Sequence, residues 1–346
     1  MSARASGALT LLICLFCLAA GAARADLVWH PDTGWQVEGG ALAGVSGRDG
    51  RNALELMNKA REAEERGSTR SAIRAYRKVA KRYPSSVYAS EALYRTGKLY
   101  LQRKQYFKAF ESFITVTTQY PNTKYFNDII GEQYRIASLL MDGARNRYWG
   151  VIPGFKNPTR AISYFELVVQ TAPYSDYAPI ALMNAARGYM REREHEYAID
   201  ALDRMINNYQ SSLLAPNAYL RLAQTHSRLV EGPNYDQGST EEAITYFEDF
   251  LILFPNDENV PSAAEGLDAM KVVLSESKIV VGDFYFHKRN NYAAARVFYN
   301  EAITAYPDSE VAEKARRKLA EVDARANNQP PPPGSEPARK KRFFFF

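Results

Sequence analysis

Apolar residues recur along this chain at the three- and four-residue spacing of amphipathic helices, and the runs come in pairs. The clearest pair lies between Glu91 and Pro121. Leu93, Gly97 and Tyr100 mark one face of a first helix, and Ala109, Phe113 and Val116 mark one face of a second. That periodicity predicts two helices joined by a tight turn. Gly97 and Ala109 are small where the helices must cross closely, and Tyr100 and Phe113 fill the space beside them. Pro121 ends the second helix, because it has no N–H to donate and disfavours helix at Tyr120.

The same marks repeat. Ala72, Ala109, Ala161, Ala243 and Ala295 are each followed twelve residues later by a proline, at 84, 121, 173, 255 and 307; Ala198 has Gln210 at that distance. Small residue, aromatic residue and closing proline are the marks of a tetratricopeptide (TPR) hairpin, a unit of about 34 residues. One hairpin cannot bury its apolar face alone, so copies must stack. The expected fold is all-α: a superhelical, TPR-like solenoid of five to six helix pairs across residues 51–326. Its last helix, about Ser309 to Ala326, is rich in Glu, Lys and Arg and suits a terminal cap. The closing positions are spaced 37, 52, 37, 45 and 52 residues apart, so the array carries insertions. One is RNRYWGVIPGFKNP within pair three. The other is EGPNYDQGST within pair five, where Ser239 or Thr240 is expected to cap the following helix with Glu242 near the reciprocal position.

The ends differ from the array. Residues 1–25 read as a secretory signal peptide, with Arg4, an apolar run from Leu9 to Ala20, and a small-x-small site at Ala23-Arg24-Ala25. Both cysteines, Cys14 and Cys17, lie inside it, so its removal leaves no thiol. Bulky Ile13 and Phe16 precede them, which does not favour lipidation. Residues 26–50 read as an extended hook whose Trp29 and Trp35 dock on the first helices, or as an unstructured leader, followed by a Gly-rich linker. Residues 327–346 hold four prolines, then Arg339 to Arg342, then Phe343 to Phe346. The prolines favour a semi-rigid extended spacer. The basic–aromatic end suits an anionic membrane, a partner groove or the array's own groove, unless the tail has no specific target.

Charge adds little. The formal net charge is +5, with two cations in the leader and four in the tail, so the body between them is close to neutral. A general nucleic-acid surface is not expected.

Catalytic patterns fail on inspection. His30, His195, His226 and His287 fall in separate segments. His195-Glu196 opens like the zinc-protease helix HExxH, but Ile199 stands where the second histidine belongs. No nucleophile elbow or phosphate-binding glycine loop is present. The carboxylate pairs Glu64-Glu65 and Glu241-Glu242 read as solvated or capping charges. No enzyme activity, metal or cofactor is expected.

Binding remains. In such arrays the first helix of each pair lines a groove, and spacing nominates Tyr94, Lys98, Tyr134, Arg187, Arg191, Leu220 and Gln224. Tyrosine gives rigid apolar area and arginine holds carboxylates or carbonyls, a combination suited to an extended peptide.

The insertion makes the reading specific. Arg147-Tyr148-Trp149-Gly150-Val151, Asn157-Pro158, Arg160 to Phe165 and Ala172 to Tyr177 resemble the third repeat of the BamD family, the TPR lipoprotein subunit of the outer-membrane β-barrel assembly machine. Gly282 to Tyr285 and Tyr292 to Ser309 resemble that family's last repeat. The resemblance covers about Ser68 to Leu319. It implies a periplasmic scaffold beneath the outer membrane that binds a BamA-like barrel-inserting partner. By the same resemblance Tyr285 and Arg296 face that partner, and the groove near Tyr94 and Tyr134 receives unfolded barrel clients. A periplasmic, Tol-associated TPR adaptor of cell-envelope or division machinery, and an enzyme-associated scaffold for export or glycan assembly, are the other readings open to a TPR array.

Overall fold

The computed structural model describes residues 26–30, 34–38 and 48–330. The signal peptide, the linker up to residue 47 and the tail from residue 331 lie outside the described residues; the last three residues of the expected linker, Arg48 to Gly50, instead open the first helix. Two compact units divide at Tyr177 and Ala178.

The first unit opens with an antiparallel hairpin, β1 (Asp26–His30) and β2 (Gly34–Glu38), in which Trp29 pairs with Trp35. The helices follow in the expected pairs: α1 (Arg48–Glu65) with α2 (Thr69–Arg82), α3 (Tyr88–Gln102) with α4 (Tyr106–Gln119), and α5 (Phe126–Met141) with α6 (Pro158–Thr171). A second small hairpin, β3 (Arg147–Tyr148) and β4 (Ile152–Pro153), fills the insertion before α6. The second unit holds most of α7 (Tyr177–Arg191), then α8 (His195–Asn208), α9 (Ala215–Leu229), α10 (Gly238–Leu253), α11 (Val260–His287), α12 (Tyr292–Ala305) and α13 (Glu310–Ala326).

The repeat is visible atom by atom. The six marker alanines, Ala72, Ala109, Ala161, Ala198, Ala243 and Ala295, are all fully buried. One turn on stand Tyr76, Phe113, Phe165, Leu202, Phe247 and Tyr299, and none of these exceeds 3% exposure. Seven residues further, the N–H groups of Tyr83, Tyr120, Ala172, Tyr209 and Phe254 close the second helices by donating to the carbonyls of Val79, Val116, Val168, Met205 and Phe250. Gln210 therefore follows the same closing bond as the prolines. The hydroxyl of Tyr120 also reaches back one repeat and donates to the Pro84 carbonyl at 2.7 Å.

Glycine at the crossing is a steric requirement. A Cβ on Gly97 would lie under 3.0 Å from three ring carbons of Phe113, and one on Gly282 would lie 2.5 Å from Tyr299 Cε1.

Two local expectations are met or changed at the ends of elements. The N-terminal hook is a β-hairpin docked on the first helices. Trp35 is 2% exposed, its backbone N–H donates to Asn58 Oδ1 at 2.9 Å, and the guanidinium groups of Arg61 and Arg95 lie over Trp29 and Trp35. The expected cap on α10 does not form. The helix begins one residue before Ser239, Asp236 Oδ2 accepts from the Gly238 N–H at 3.1 Å, and Thr240 Oγ1 is buried without a hydrogen-bond partner. Asparagine and serine cap elsewhere: Asn157 on α6, Asn291 on α12 and Ser309 on α13.

Candidate functional site

In the first unit, Tyr94 and Lys98 lie one turn apart on α3, and both are held from within. Tyr94 stacks on Tyr125 with ring centres 4.3 Å apart and nearly parallel planes. Burial pushes its phenol pKa up, and Asp128 and Glu132 add to that against Lys98 and Arg95. Lys98 Nζ donates to Glu132 Oε1 at 2.6 Å, while Arg135 holds the other oxygen of the same carboxylate. Burial raises the Glu132 carboxyl, but the bonds and charges of Lys98 and Arg135 outweigh it and hold the group below the ordinary range. Tyr134 packs between Phe165 at 5.7 Å and Tyr177 at 5.4 Å. The three predicted residues thus form half-buried ties between successive helices. A separate concavity in this unit, of about 290 Å³, is lined by Leu93, Thr96 and Tyr100 of α3 and by Lys108 and Glu111 of α4. Tyr94 and Lys98 are not among its lining residues.

The second unit gathers a different set. A concavity of about 190 Å³ is lined by Arg187 and Arg191 of α7 and by Arg221, Gln224 and Arg228 of α9, with Leu202 of α8 contributing apolar surface. All four guanidinium-bearing residues are exposed. Each arginine sits at a helical repeat of its partner, four residues apart on α7 and seven on α9, so one face of each helix carries two. Thr225, buried between them, donates to the Arg221 carbonyl at 2.6 Å and contacts Met190 Sδ at 3.6 Å, fixing the adjacent turns. Guanidinium groups offer planar paired donors that match carboxylates, so the arrangement is receptive to acidic groups on an extended chain.

Three predicted site residues, Arg187, Arg191 and Gln224, meet here. Leu220 does not. It is 6% exposed and belongs to the core formed with Ala223, Phe247 and Phe250, so its groove assignment is replaced by a packing role. Arg221 and Arg228 were missed, although their seven-residue spacing puts them on one helix face. Near the end of the array, Tyr285 stacks on Phe298 at 5.4 Å and Arg296 pairs with Asp323 at 2.5 Å. Among the described residues, no group of three or more His, Cys, Asp or Glu side chains converges as metal ligands.

Sequence comparison adds to this geometry. Residues 156–328, half of the chain, match the family model described as the YfiO outer membrane lipoprotein, and residues 57–122 match a tetratricopeptide repeat model. The chain belongs to the YfiO family. The YfiO match spans all of α7 to α13, and so includes the arginine concavity, Tyr285 and Arg296. Two curated relatives are outer membrane protein assembly factors BamD. The Rickettsia prowazekii (strain Madrid E) protein is 26% identical over 195 residues, 56% of this chain and 74% of that one. The Caulobacter vibrioides protein is 25% identical over 138 residues, 40% of this chain and 45% of that one. Solved structures with a likeness include a tetratricopeptide repeat protein from Parabacteroides merdae, at 14% identity and a TM-score of 0.30, covering 78% of this chain and 99% of that one. Another is MamA from Desulfovibrio magneticus, at 17% identity and a TM-score of 0.29, covering 61% and 98%. Among the described residues of this YfiO member, no helix is long and apolar enough to cross a membrane.

Proposed function

We propose that the chain is a non-catalytic scaffold for outer-membrane protein assembly, working in the periplasm against the inner face of the outer membrane. The observation that carries this reading is the family match across α7 to α13, the stretch that also builds the four-arginine concavity. Both curated relatives are named as assembly factors. The concavity supplies the chemistry a scaffold needs: paired cationic forks beside an apolar floor, receptive to an extended segment bearing carboxylates. In this reading the ridge around Tyr285 and Arg296, pre-arranged by Phe298 and Asp323, contacts a barrel-inserting membrane partner. The α7–α9 face holds acidic segments of that partner or of unfolded barrel clients, with Tyr94, Lys98 and Tyr134 on the client side of the first unit.

Affinity capture from detergent-extracted membranes of cells making the tagged full chain tests the reading. Recovery of a β-barrel assembly protein is expected. Arg187→Glu combined with Arg228→Glu should lower that recovery at least about tenfold, the loss of one or two charge-assisted contacts, with no change in thermal midpoint. Recovery of peptidoglycan-linked envelope proteins in place of any barrel-assembly protein would reject it in favour of the division-adaptor reading.

A further inference from the structure

The β3–β4 hairpin serves neither the repeat packing nor the arginine concavity. It projects five large apolar side chains: Tyr148, Trp149, Val151, Ile152 and Phe155 are 51, 69, 64, 52 and 93% exposed. An apolar loop of this kind would ordinarily fold back on the body. Here it is held out by a built scaffold. The Arg147 N–H donates to the Lys104 carbonyl at 2.8 Å, and the Gly154 N–H donates to the Asn146 carbonyl at 2.8 Å. Asn146, itself 5% exposed, accepts from the Phe107 N–H through its side chain, tying the base of the hairpin to the start of α4. The Arg103 guanidinium donates to the Trp149 carbonyl and occupies the space a side chain at Gly150 would need. At the tip, Trp149 and Gly150 both have positive φ, +52° and +79°, and the Val151 N–H closes the turn on the Tyr148 carbonyl. A bulky residue is strained in that region. The fold accepts this conformation, and with it presents the indole outward.

Charge identifies what the tip meets. Between residues 143 and 160 stand Arg145, Arg147, Lys156 and Arg160, with no carboxylate, in a chain whose body as a whole is close to neutral. Aromatic rings beside aliphatic side chains, with cations around them, match the chemistry of a membrane–water interface. Tryptophan and tyrosine settle at the headgroup level, and Lys or Arg meets anionic lipid phosphates. The turn's backbone polar groups forbid entry into the hydrocarbon core, so insertion stops at the headgroup–acyl boundary.

We infer that the β3–β4 hairpin is a membrane toe, dipping Trp149 and Phe155 into an anionic lipid surface. The test uses the full chain with vesicles of phosphatidylethanolamine and phosphatidylglycerol, and with phosphatidylcholine alone as comparison. Because the tail is also basic and aromatic, the readout is local: quenching of tryptophan emission by lipids brominated on the acyl chain. Trp35 is buried and Trp29 packs against it, so the quenched component should belong to Trp149 and vanish in Trp149→Phe. Trp149→Ser with Phe155→Ser, both at exposed positions, should weaken vesicle binding at least about tenfold and leave the circular dichroism spectrum unchanged. The inference is overturned if the protein ignores the anionic vesicles. It is equally overturned if the protein binds them with Trp149 unquenched, or if the double variant binds as tightly as the parent.

Discussion

Phe113 lies where the Cβ of any residue but glycine at position 97 would have to be. Three of its ring carbons stand under 3.0 Å from that point. In an exposed helix, replacing glycine with alanine stabilises by about 1 kcal/mol. Here the sign should reverse. Gly97→Ala is expected to destabilise the first unit by about 1–3 kcal/mol through overpacking, and Phe113→Leu in the same chain should restore part of the loss. Urea unfolding of the single and double variants measures both.

Glu132 accepts from two cations and Lys98 donates to one carboxylate, so the pair is asymmetric. Removing Lys98 leaves Glu132 paired with Arg135; removing Glu132 leaves two cations facing each other. Lys98 is 40% exposed, so water screens its share. Glu132→Gln should cost about 1 kcal/mol and Lys98→Met only a few tenths, about 0.3 kcal/mol. The folded carboxyl titrates below its ordinary value. Its contribution is therefore present above the unfolded value of 4.5 and lost as pH falls through the folded pKa. Chemical denaturation of the two variants and the parent, at neutral and acidic pH, checks the order and the sign.

His226 stacks on Tyr246 at 5.5 Å, and Tyr246 donates to Asp203 at 3.1 Å. Burial holds the imidazole pKa below its ordinary value of 6.5, against the pull of Glu242 and Asp203. The unfolded chain then takes up the proton before the folded one as pH falls. Stability from the neutral ring is complete above the unfolded pKa and declines as pH drops toward the lowered folded value. His226→Phe keeps the ring stack and removes the titration. The thermal midpoint of the parent, measured against that variant, should fall between about pH 7.5 and about pH 5.5. A constant difference across that range would show that the imidazole does not titrate as described.

Trp149 sits at φ +52°. Glycine adopts that conformation without the clash, so Trp149→Gly should leave stability unchanged or raise it by up to about 1 kcal/mol. The same variant should lose the vesicle-dependent emission change. A drop of several degrees in thermal midpoint would instead assign the indole a packing role.

The repeat was legible because its chemistry is local. Alanine at the crossing, an aromatic or leucine one turn on and a stop twelve residues later can be read along the chain, and the six alanines proved fully buried. Even Gln210 fits, since the closing bond uses the backbone of the residue before it. The binding face was less legible. Leu93 and Tyr94 are adjacent in sequence but a helix turns about 100° between them, and the concavity falls to Leu93. Leu220 and Gln224 share a helix face by spacing, yet packing against Phe247 and Phe250 takes the first and leaves the second at the rim. Ties such as Lys98 to Glu132, 34 residues apart, join neighbouring repeats, and no pattern within one repeat announces them. The cap on α10 was misplaced because Asp236, in the inserted loop, reaches the first N–H of the helix before Ser239 or Thr240 can.

The bond from Tyr120 to Pro84 has a consequence for how such a chain can grow. Donor and acceptor are 36 residues apart, and each belongs to the residue pair that closes a hairpin. A duplicated segment of that length would bring its own tyrosine hydroxyl and its own free carbonyl, ready to splice onto the copy before it. An array built this way lengthens without a new joint having to be invented, and sequence drift is then free to collect in the loops between joints, where this chain has placed its exposed hairpin.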